Sequence, residues 1–335
     1  MERRMRAGVG LSLLALGCTV PPADPAHADA GAARSSSTSV LIPSSRTGSG
    51  SGSGAATSVA ATSASSGARS GELTLENCPT QLAADVPAFY RTYFRCVTAS
   101  RSGSNVVLET RALPPHRSNY YPSTSPNHEP FDTSRGPNYR ANPNQLAQQT
   151  VRLTIPDQPV SRGLTITTAM VDRQANTNPN EYPLGPAGIA LDSVLMFNAT
   201  AAPGDNIDNE QYTFDRYAGH PQMTGEYHYH SPSPGPLEVL NRAGLSNSTV
   251  PGFASVEVYG IMCDGTLVLG CAELDGARVS AAGLDGQNGH VHSLTDGAGT
   301  THFTDRYHVH MCPQEFPSHR YAPEIRFYST CTVGR

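Results

Sequence analysis

Tyrosine and histidine alternate within residues 225–230, Gly-Glu-Tyr-His-Tyr-His, and this alternation restricts how the chain can fold there. Side chains of an extended strand point alternately to its two faces, so His228 and His230 share one face while Tyr227 and Tyr229 take the other. The two histidine Cα atoms would then be about 6.6 Å apart, close enough for both rings to reach one ion through bonds of about 2.0–2.1 Å. The stretch predicts a strand with a metal-binding face.

Histidine pairs with the same spacing return later, as His308 and His310 in Tyr-His-Val-His and as residues 290–292, His-Val-His. A metal site needs at least three ligands, and one pair supplies two. We therefore expect His220, which lies eight residues before His228, and the pair His308 and His310 to complete the site.

Three or four imidazoles suit Zn²⁺ or Cu²⁺, and imidazole does not select between these two ions. Asp264 or Asp215 is expected to accept a ring N–H and so to orient a ligand from behind. His290 and His292 lie in Gly/Asp-rich surroundings and are expected to contribute less. Four other histidines are expected at the surface: His27, His128, His302 and His319.

Composition narrows the class of protein. Charged residues make up only 15% of the 335 residues and the net charge is −5, so no basic surface for nucleic acid is indicated. The 31 glycines and 27 prolines favour a β-rich fold with long loops. No apolar run reaches the roughly 18 residues expected of a membrane span.

The N-terminal residues 1–28 are typical of an export signal, with three arginines among the first six residues and a short apolar run after them. Residues 15–18, Ala-Leu-Gly-Cys, resemble a bacterial lipobox that would leave Cys18 lipidated and the protein anchored to a membrane. Cleavage after residues 26–28, Ala-His-Ala, is the alternative and would give a secreted or periplasmic protein.

Residues 29–71 are rich in Ser, Gly and Ala, a composition typical of a disordered linker. Residues 72–335 are expected to form a single β-rich domain with long Pro/Gly-rich loops and a short N-terminal helix, cross-linked by disulfides. An apolar stripe over residues 82–97 predicts that helix, interrupted or restarted at Pro87. Strands are expected near residues 106–108, 151–155, 164–168, 189–191, 194–197, 256–261, 267–269 and 325–327.

Six cysteines remain after Cys18, an even number that implies disulfides in an exported chain. Pairing of neighbours would join Cys78 to Cys96, Cys263 to Cys271 and Cys312 to Cys331. The middle pair is doubtful, because a two-residue turn at 264–265 would place Cys271 about 17 Å along the partner strand, beyond the roughly 7 Å that a bridge allows. Either that turn is not tight or these two cysteines pair otherwise. A metal–thiolate cluster is the rival, although no C-x-x-C spacing occurs.

Several motifs together resemble the YHYH domain family over residues 106–333. They are Leu-Pro-Pro-His at 113–116, Asn-Pro-Asn at 142–144, Gly-Ile-Ala-Leu-Asp at 188–192, Gly-His-Pro at 219–221, Tyr-His-Tyr-His at 227–230 and Cys-Asp-Gly at 263–265. The resemblance implies an extracytoplasmic β-rich protein and adds His116, by its position, to the candidate ligands. It does not imply a reaction.

Three hypotheses of different classes follow. The first is an exported metal-binding module. The second is a metal-dependent hydrolase or oxidoreductase, which would need an open coordination position and a nearby acid or base. The third is a metal-free cell-surface structural or interaction domain, in which the histidines only pack and form hydrogen bonds.

Overall fold

A computed structural model describes residues 69–171, 181–201, 207–315 and 321–335 of the chain. These residues fall in one compact unit, Ala64–Arg335. The expected signal peptide at 1–28, the candidate lipid anchor Cys18 and nearly all of the expected linker at 29–71 lie outside the described residues. No helix among the described residues is long and apolar enough to cross a bilayer.

Two sheets make up the fold, so the β-rich prediction is confirmed. The smaller sheet has the order β1-β2-β3-β4-β13. Its strands are β1 (Gln81–Leu82), β2 (Thr98–Ser102), β3 (Asn105–Thr110), β4 (Val151–Pro156) and β13 (Thr332–Gly334). Alternation decides which side is buried: Val151, Leu153 and Ile155 are fully buried, whereas Arg152 between them is exposed. One hydrophobic core joins residues of both sheets.

The larger sheet has eight strands in the order β11-β12-β10-β9-β5-β6-β8-β7. Its strands are β5 (Gly188–Ala190), β6 (Leu195–Met196), β7 (Gly219–Pro221), β8 (Tyr227–Tyr229), β9 (Val258–Met262), β10 (Leu267–Leu269), β11 (Gly289–Thr295) and β12 (Thr301–His310). We call β5–β8 the first half and β9–β12 the second half.

The two halves repeat one arrangement about the centre of this sheet. Strands β5 and β9 pair antiparallel, and Ile189 lies opposite Ile261. A twofold rotation about this central pair exchanges the two pairs beside it, Gly188 with Met262 and Ala190 with Gly260. Each half then continues outwards with a hairpin, a parallel neighbour and an antiparallel outer strand. The sheet therefore has an approximate twofold axis at Ile189 and Ile261.

Sequence supports the repeat. Residues 188–198 and 260–270 share Gly, Ile, Asp and Leu at the same positions, and the turns between their strands both place a positive φ after the aspartate, 70° at Ser193 and 97° at Gly265.

A Cβ on Gly188 would lie 2.8 Å from the carbonyl oxygen of Ile261, and one on Gly260 would overlap that of Ile189. The close approach of β5 and β9 thus requires glycine on both sides.

Three α-helices accompany the sheets in the described residues: α1 (Ala88–Tyr93), α2 (Ile207–Glu210) and α3 (Pro234–Arg242). Helix α1 begins directly after Pro87 and is shorter than the predicted stripe, because Leu82 belongs to β1. Helix α3 was not predicted; Ser233 caps it by accepting a hydrogen bond from the Gly235 N–H. Single 3₁₀ turns occur at Thr133–Arg135, Thr168–Met170 and Gln211–Thr213.

Two of the predicted strands are wrong. The backbone at 164–168 forms no strand and leads into the 3₁₀ turn, and the Ile166 carbonyl accepts a hydrogen bond from Gly286 N–H. Residues 325–327 form no strand either, because the side-chain amide of Gln287 bonds both the N–H and the carbonyl of Ile325. In both places a loop supplies the hydrogen bonds that a partner strand would have made.

Three disulfides cross-link the domain. The Cys78–Cys96 bridge was predicted, but pairing of neighbours is wrong for the others, since the bridges are Cys263–Cys331 and Cys271–Cys312. The turn between β9 and β10 is tight, with Met262 N–H donating to the Thr266 carbonyl at 2.8 Å. Cys263 and Cys271 therefore lie at opposite ends of β10 and each reaches a different part of the chain.

Candidate metal centres

Three histidine rings meet in the first half of the large sheet, and we call His220, His228 and His230 the first cluster. His220 on β7 is paired with His228 on β8, and His230 follows directly after β8. The Nε2 atom of His228 lies 3.1 Å from that of His220 and 3.0 Å from that of His230. Each of the three residues is only 2% exposed.

Alternation along β8 places the rings as predicted. The tyrosines take the opposite face, where the Tyr227 hydroxyl donates to Asp215 at 2.8 Å and the Tyr229 hydroxyl lies 2.9 Å from Asp192. Both acids are fully buried, and burial raises the pKa of Asp192 to about 7 and that of Asp215 to about 6. One face of β8 thus carries histidine rings, and the other carries tyrosines that are bonded to buried carboxyl groups.

The Nδ1 partners decide which ring nitrogens carry hydrogen. His228 Nδ1 lies 3.0 Å from the Glu226 carbonyl, and His230 Nδ1 lies 2.8 Å from the Asn198 carbonyl. Carbonyl oxygens only accept, so both Nδ1 atoms donate. His220 Nδ1 lies 2.7 Å from the Thr213 hydroxyl, which already donates to the Glu210 carbonyl and therefore accepts from the ring. Assigned in this way, all three neutral rings have a lone pair on Nε2.

Three lone pairs that face one another in this way could all bind one cation. Burial lowers the pKa of His220 and of His228 well below the usual value, and lowers that of His230 to about 4, so protonation is disfavoured at neutral pH. Two nitrogens bound to one ion at about 2.0–2.1 Å are about 3.3 Å apart in a tetrahedral site, close to the separations found here. The first cluster has the donors and the spacing of a metal centre.

Aromatic rings and one acid surround the first cluster. Phe197 stacks on the His228 ring with centroids 3.6 Å apart, and Phe214 packs against His220 and His230. A Glu210 carboxylate oxygen lies 3.6 Å from His220 Nε2 and is the nearest candidate for a fourth ligand. The cluster is therefore enclosed, with one carboxylate at its edge.

His116 lies apart from the first cluster. Its Nε2 atom lies 2.9 Å from the Tyr229 hydroxyl, on the tyrosine face of β8, and its Nδ1 atom lies 3.0 Å from the Arg117 carbonyl. Its ring stacks on Tyr217 at 3.5 Å, and burial lowers its pKa to about 3. Both ring nitrogens thus have protein partners, and the structure does not bring His116 beside the other candidate ligands.

The aspartates expected to orient the ligands do not contact them. Asp215 bonds Ser118 and Tyr227, and Asp264 bonds Tyr182, Thr266 and the Tyr328 N–H. Backbone carbonyls and the Thr213 hydroxyl bond the Nδ1 atoms of the first cluster instead.

His308 and His310 lie in the second half of the sheet, where they meet His290, His292 and Glu273; we call these five residues the second cluster. One carboxylate oxygen, Glu273 Oε1, is close to all four Nε2 atoms, at 3.3 Å from His290, 3.3 Å from His292, 3.4 Å from His308 and 3.1 Å from His310. The sequence predicted one site from six histidines, but the sheet divides them, because β12 and β8 lie in different halves.

Nδ1 partners of three of the four rings in the second cluster again leave Nε2 free of hydrogen when those rings are neutral. His308 Nδ1 bonds the Arg306 carbonyl at 3.0 Å, His310 Nδ1 the Gly270 carbonyl at 2.8 Å and His292 Nδ1 the Ser293 carbonyl at 2.9 Å. The pKa of Glu273 lies below its usual range: burial raises it, but the close rings of His290, His308 and His310 together lower it by more.

Two of the second-cluster rings reach solvent. The side chains of His292 and His290 are 42% and 26% exposed, whereas those of His308 and His310 are buried. Sequence reasoning gave His290 and His292 less weight and missed Glu273. A signal for His290 was present, since Asp-x-x-x-Gly-His occurs at both 215–220 and 285–290. No local pattern marks Glu273.

Of the histidines expected at the surface, His302 is not there. Its ring is buried against Phe89 and Tyr93 and bonds Asp296 at 2.9 Å. His128 is half-buried and bonds the Tyr121 carbonyl. His27 and His319 lie outside the described residues.

The model of the family described as YHYH protein matches residues 153–270, which confirms the resemblance noted from the motifs. The match covers the first half of the large sheet and the central strands β9 and β10, and ends before Glu273. No curated protein and no solved structure matches the chain.

Proposed function

We propose that the YHYH-family domain of this chain binds a divalent transition-metal ion, Zn²⁺ or Cu²⁺, at His220, His228 and His230. One observation carries the proposal: three buried Nε2 atoms, each with its Nδ1 donating to a protein oxygen, lie 3.0–3.1 Å apart along the set. Carbonyl oxygens behind a ring nitrogen are the usual means of orienting a histidine ligand. Without an ion, these lone pairs would repel one another in an environment that disfavours protons.

A binding role suits the first cluster better than a catalytic one. A catalytic metal keeps a position open for water or substrate, whereas these ligands are 2% exposed and covered by Phe197 and Phe214. The nearby Glu226 carboxylate bonds Gln222 and Arg335, and so is not directed at the rings. The ion would hold β7, β8 and the start of the following loop together.

We also propose that the protein is exported. Its three disulfides are typical of oxidising compartments and rare in the reducing cytosol. A lipid on Cys18 would anchor it to a membrane, with residues 29–71 as a flexible tether; cleavage after residue 28 would release it. Mass spectrometry of the mature N-terminus in the native host separates these outcomes.

Metal content tests the binding role. The untagged full chain is loaded with Zn²⁺, dialysed against weak chelator and analysed by elemental mass spectrometry beside the double variant His228→Ala, His230→Ala. We expect the variant to lose one equivalent of metal and the rise in melting temperature that the ion gives the wild type, because a ligand that binds only the folded state stabilises it.

His128→Ala, which removes a histidine outside both clusters, is the matched control and should keep wild-type metal content. An unchanged metal content in the double variant would overturn the assignment. A wild-type protein that retains no metal would instead favour the metal-free structural or interaction domain.

A further inference from the structure

We propose that the second cluster is a separate metal site, built for Cu²⁺ or Ni²⁺ by Glu273, His290, His292, His308 and His310. These residues lie beyond the stretch that matches the family, so the family match does not account for them. The site is defined by its own donors and does not require that the first cluster hold an ion.

The donor atoms converge on a volume the size of one ion. Donor atoms of Glu273, His290, His292 and His308 all lie within 4.8 Å of one another. His310 Nε2 lies at the edge of this set of four, 3.1 Å from both Glu273 Oε1 and His290 Nε2, and is the candidate for a fifth donor. Neighbouring ligands on a single ion at about 2.1 Å are separated by about 3.0 Å at right angles, which is the range found here.

Hydrogen bonding alone does not explain this arrangement. His292, His308 and His310 each donate Nδ1–H to a carbonyl, so each would have to be a doubly protonated imidazolium to donate to Glu273 as well. One carboxylate would then face several positive rings within a few ångströms, and its second oxygen is buried without a hydrogen-bond partner among the described residues. A metal ion replaces those protons with a single centre.

The repeat within the sheet gives independent support. His290, His308 and His310 occupy the same register positions as His220, His228 and His230. The loops before the first histidine also match: Asp215 and Asp285 each accept the N–H of the second and fourth following residues and the hydroxyl of a strand tyrosine. The second half thus builds the same three-histidine frame.

Two added donors distinguish the second site. In the register of the repeat, Glu273 stands where the first half has Ala201, and His292 stands where it has Gln222. The Cys271–Cys312 bridge ties the chain two residues before Glu273 to the chain two residues after His310. The carboxylate and the last ligand are therefore held on covalently linked segments.

Donor number and type point to the ion. Structural zinc is almost always four-coordinate, so a fifth donor from His310, at the edge of the set, exceeds its preference. Nitrogen-rich sites with added oxygen and tetragonal geometry are characteristic of Cu²⁺ and Ni²⁺, and Cu²⁺ binds most tightly in the divalent series. Partial exposure of His290 and His292 gives the ion a route to solvent. We therefore expect this site to exchange its metal faster than the first cluster.

Copper titration of the untagged, metal-stripped full chain tests the site. The wild type and three variants are loaded with Cu²⁺, dialysed, and measured by elemental analysis and by electron paramagnetic resonance. The variants are His290→Ala with His292→Ala, Glu273→Gln, and His228→Ala with His230→Ala. The first pair is partly exposed, so its removal leaves the core intact.

We expect a tetragonal copper signal with nitrogen hyperfine structure in the wild type. The His290/His292 variant should lose one equivalent of copper and this signal, Glu273→Gln should shift the signal, and the His228/His230 variant should keep it. Unchanged copper content and signal in the His290/His292 variant would overturn the second site. Loss of the signal only in the His228/His230 variant would overturn it too, while leaving the first site supported.

Discussion

The two halves of the large sheet share strand order, register and the loop that precedes the first histidine, yet they end in different sites. The first half encloses three imidazoles behind Phe197 and Phe214, whereas the second half places four imidazoles around one carboxylate and leaves two rings open to water. The backbone frame is thus held constant while exposure and donor number vary. The residues that fix the backbone geometry are therefore different from the residues that supply the donor atoms.

The residues that set the frame have no donor role. Gly219 and Gly289 lie against the rings of Tyr227 and Tyr307, where a Cβ would overlap the tyrosine. Asp215 and Asp285 accept hydrogen bonds from those tyrosine hydroxyls and hold the turn before the strand. Four predictions test how far the equivalence of the halves extends.

The largest effect should come from a cross-link that only the second cluster has. Cys271→Ala with Cys312→Ala opens a bridge of sequence separation 41, which should lower the free energy of unfolding by about 4 kcal/mol. It should also weaken copper retention at the second cluster and leave zinc at the first unchanged. Denaturant titration and metal analysis measure both effects; equal metal loss at the two clusters would show that they are coupled.

Lowering the pH should destabilise the protein through His116, whose ring lies on the tyrosine face of the first half. His116 covers Tyr229 there, whereas Phe327 stacks on Tyr307 in the second half. Burial lowers the pKa of His116 to about 3, so below pH 6.5 the unfolded chain takes up a proton that the folded chain does not. Stability contributed by the neutral ring is therefore lost as pH falls from about 6.5 towards 3.

Relative to His116→Gln, the wild type should lose about 1.4 kcal/mol per pH unit, or about 3 kcal/mol between pH 6 and pH 4. Urea unfolding of both proteins at several pH values gives the slope. Phe327→Leu is the matched change in the second half and should leave the pH dependence unaltered. Parallel curves for the wild type and His116→Gln would refute a buried neutral ring.

Gly188 and Gly260, the two glycines beside the twofold axis of the large sheet, should differ in how much an added side chain destabilises the protein. A Cβ on Gly260 would overlap the Ile189 carbonyl oxygen, while one on Gly188 meets the Ile261 oxygen at 2.8 Å. Because overpacking typically costs about 1–3 kcal/mol, we expect Gly260→Ala to destabilise by about 2 kcal/mol more than Gly188→Ala. Thermal unfolding measures the difference, and equal costs would mean that the axis relaxes symmetrically.

The smallest expected effect is the difference in stability between removing the Tyr227 hydroxyl and removing the Tyr307 hydroxyl. Tyr227→Phe leaves the buried Asp215 without one of its donors, whereas Tyr307→Phe affects the half-buried Asp285, which water can reach. Unpartnered buried acceptors cost more than solvated ones, so Tyr227→Phe should destabilise by about 1 kcal/mol more. Denaturant midpoints provide the comparison, and the opposite order would place the stronger bond in the second half.

Local patterns in the sequence predicted those features that depend only on neighbouring residues. Alternation assigned His228 and His230 to one face and the tyrosines to the other, because a strand reverses its side chains at each residue. Pro87 marked the start of α1, and the Cys78–Cys96 bridge closes a short segment around it. Each of these outcomes is decided within about 20 residues of chain.

Features that depend on strand order could not be predicted in this way. Whether His308 joins His228 depends on which strands are neighbours in the sheet, and this is set by packing between distant segments. Glu273 becomes a donor only because β10 ends beside β12, and the Cys263–Cys331 bridge requires residues of separation 68 to meet. The repeated Asp-x-x-x-Gly-His pattern was a sign, already present in the sequence, that the histidines form two sets.

The pairing of β5 with β9 about Ile189 and Ile261 has the form of an isologous subunit interface, in which each residue faces its own counterpart. A polypeptide of half this length could complete the same sheet by associating with an identical partner. In a true homodimer every substitution would appear twice. Within a single chain the two copies vary separately, so a donor can be added at one centre while the other stays unchanged.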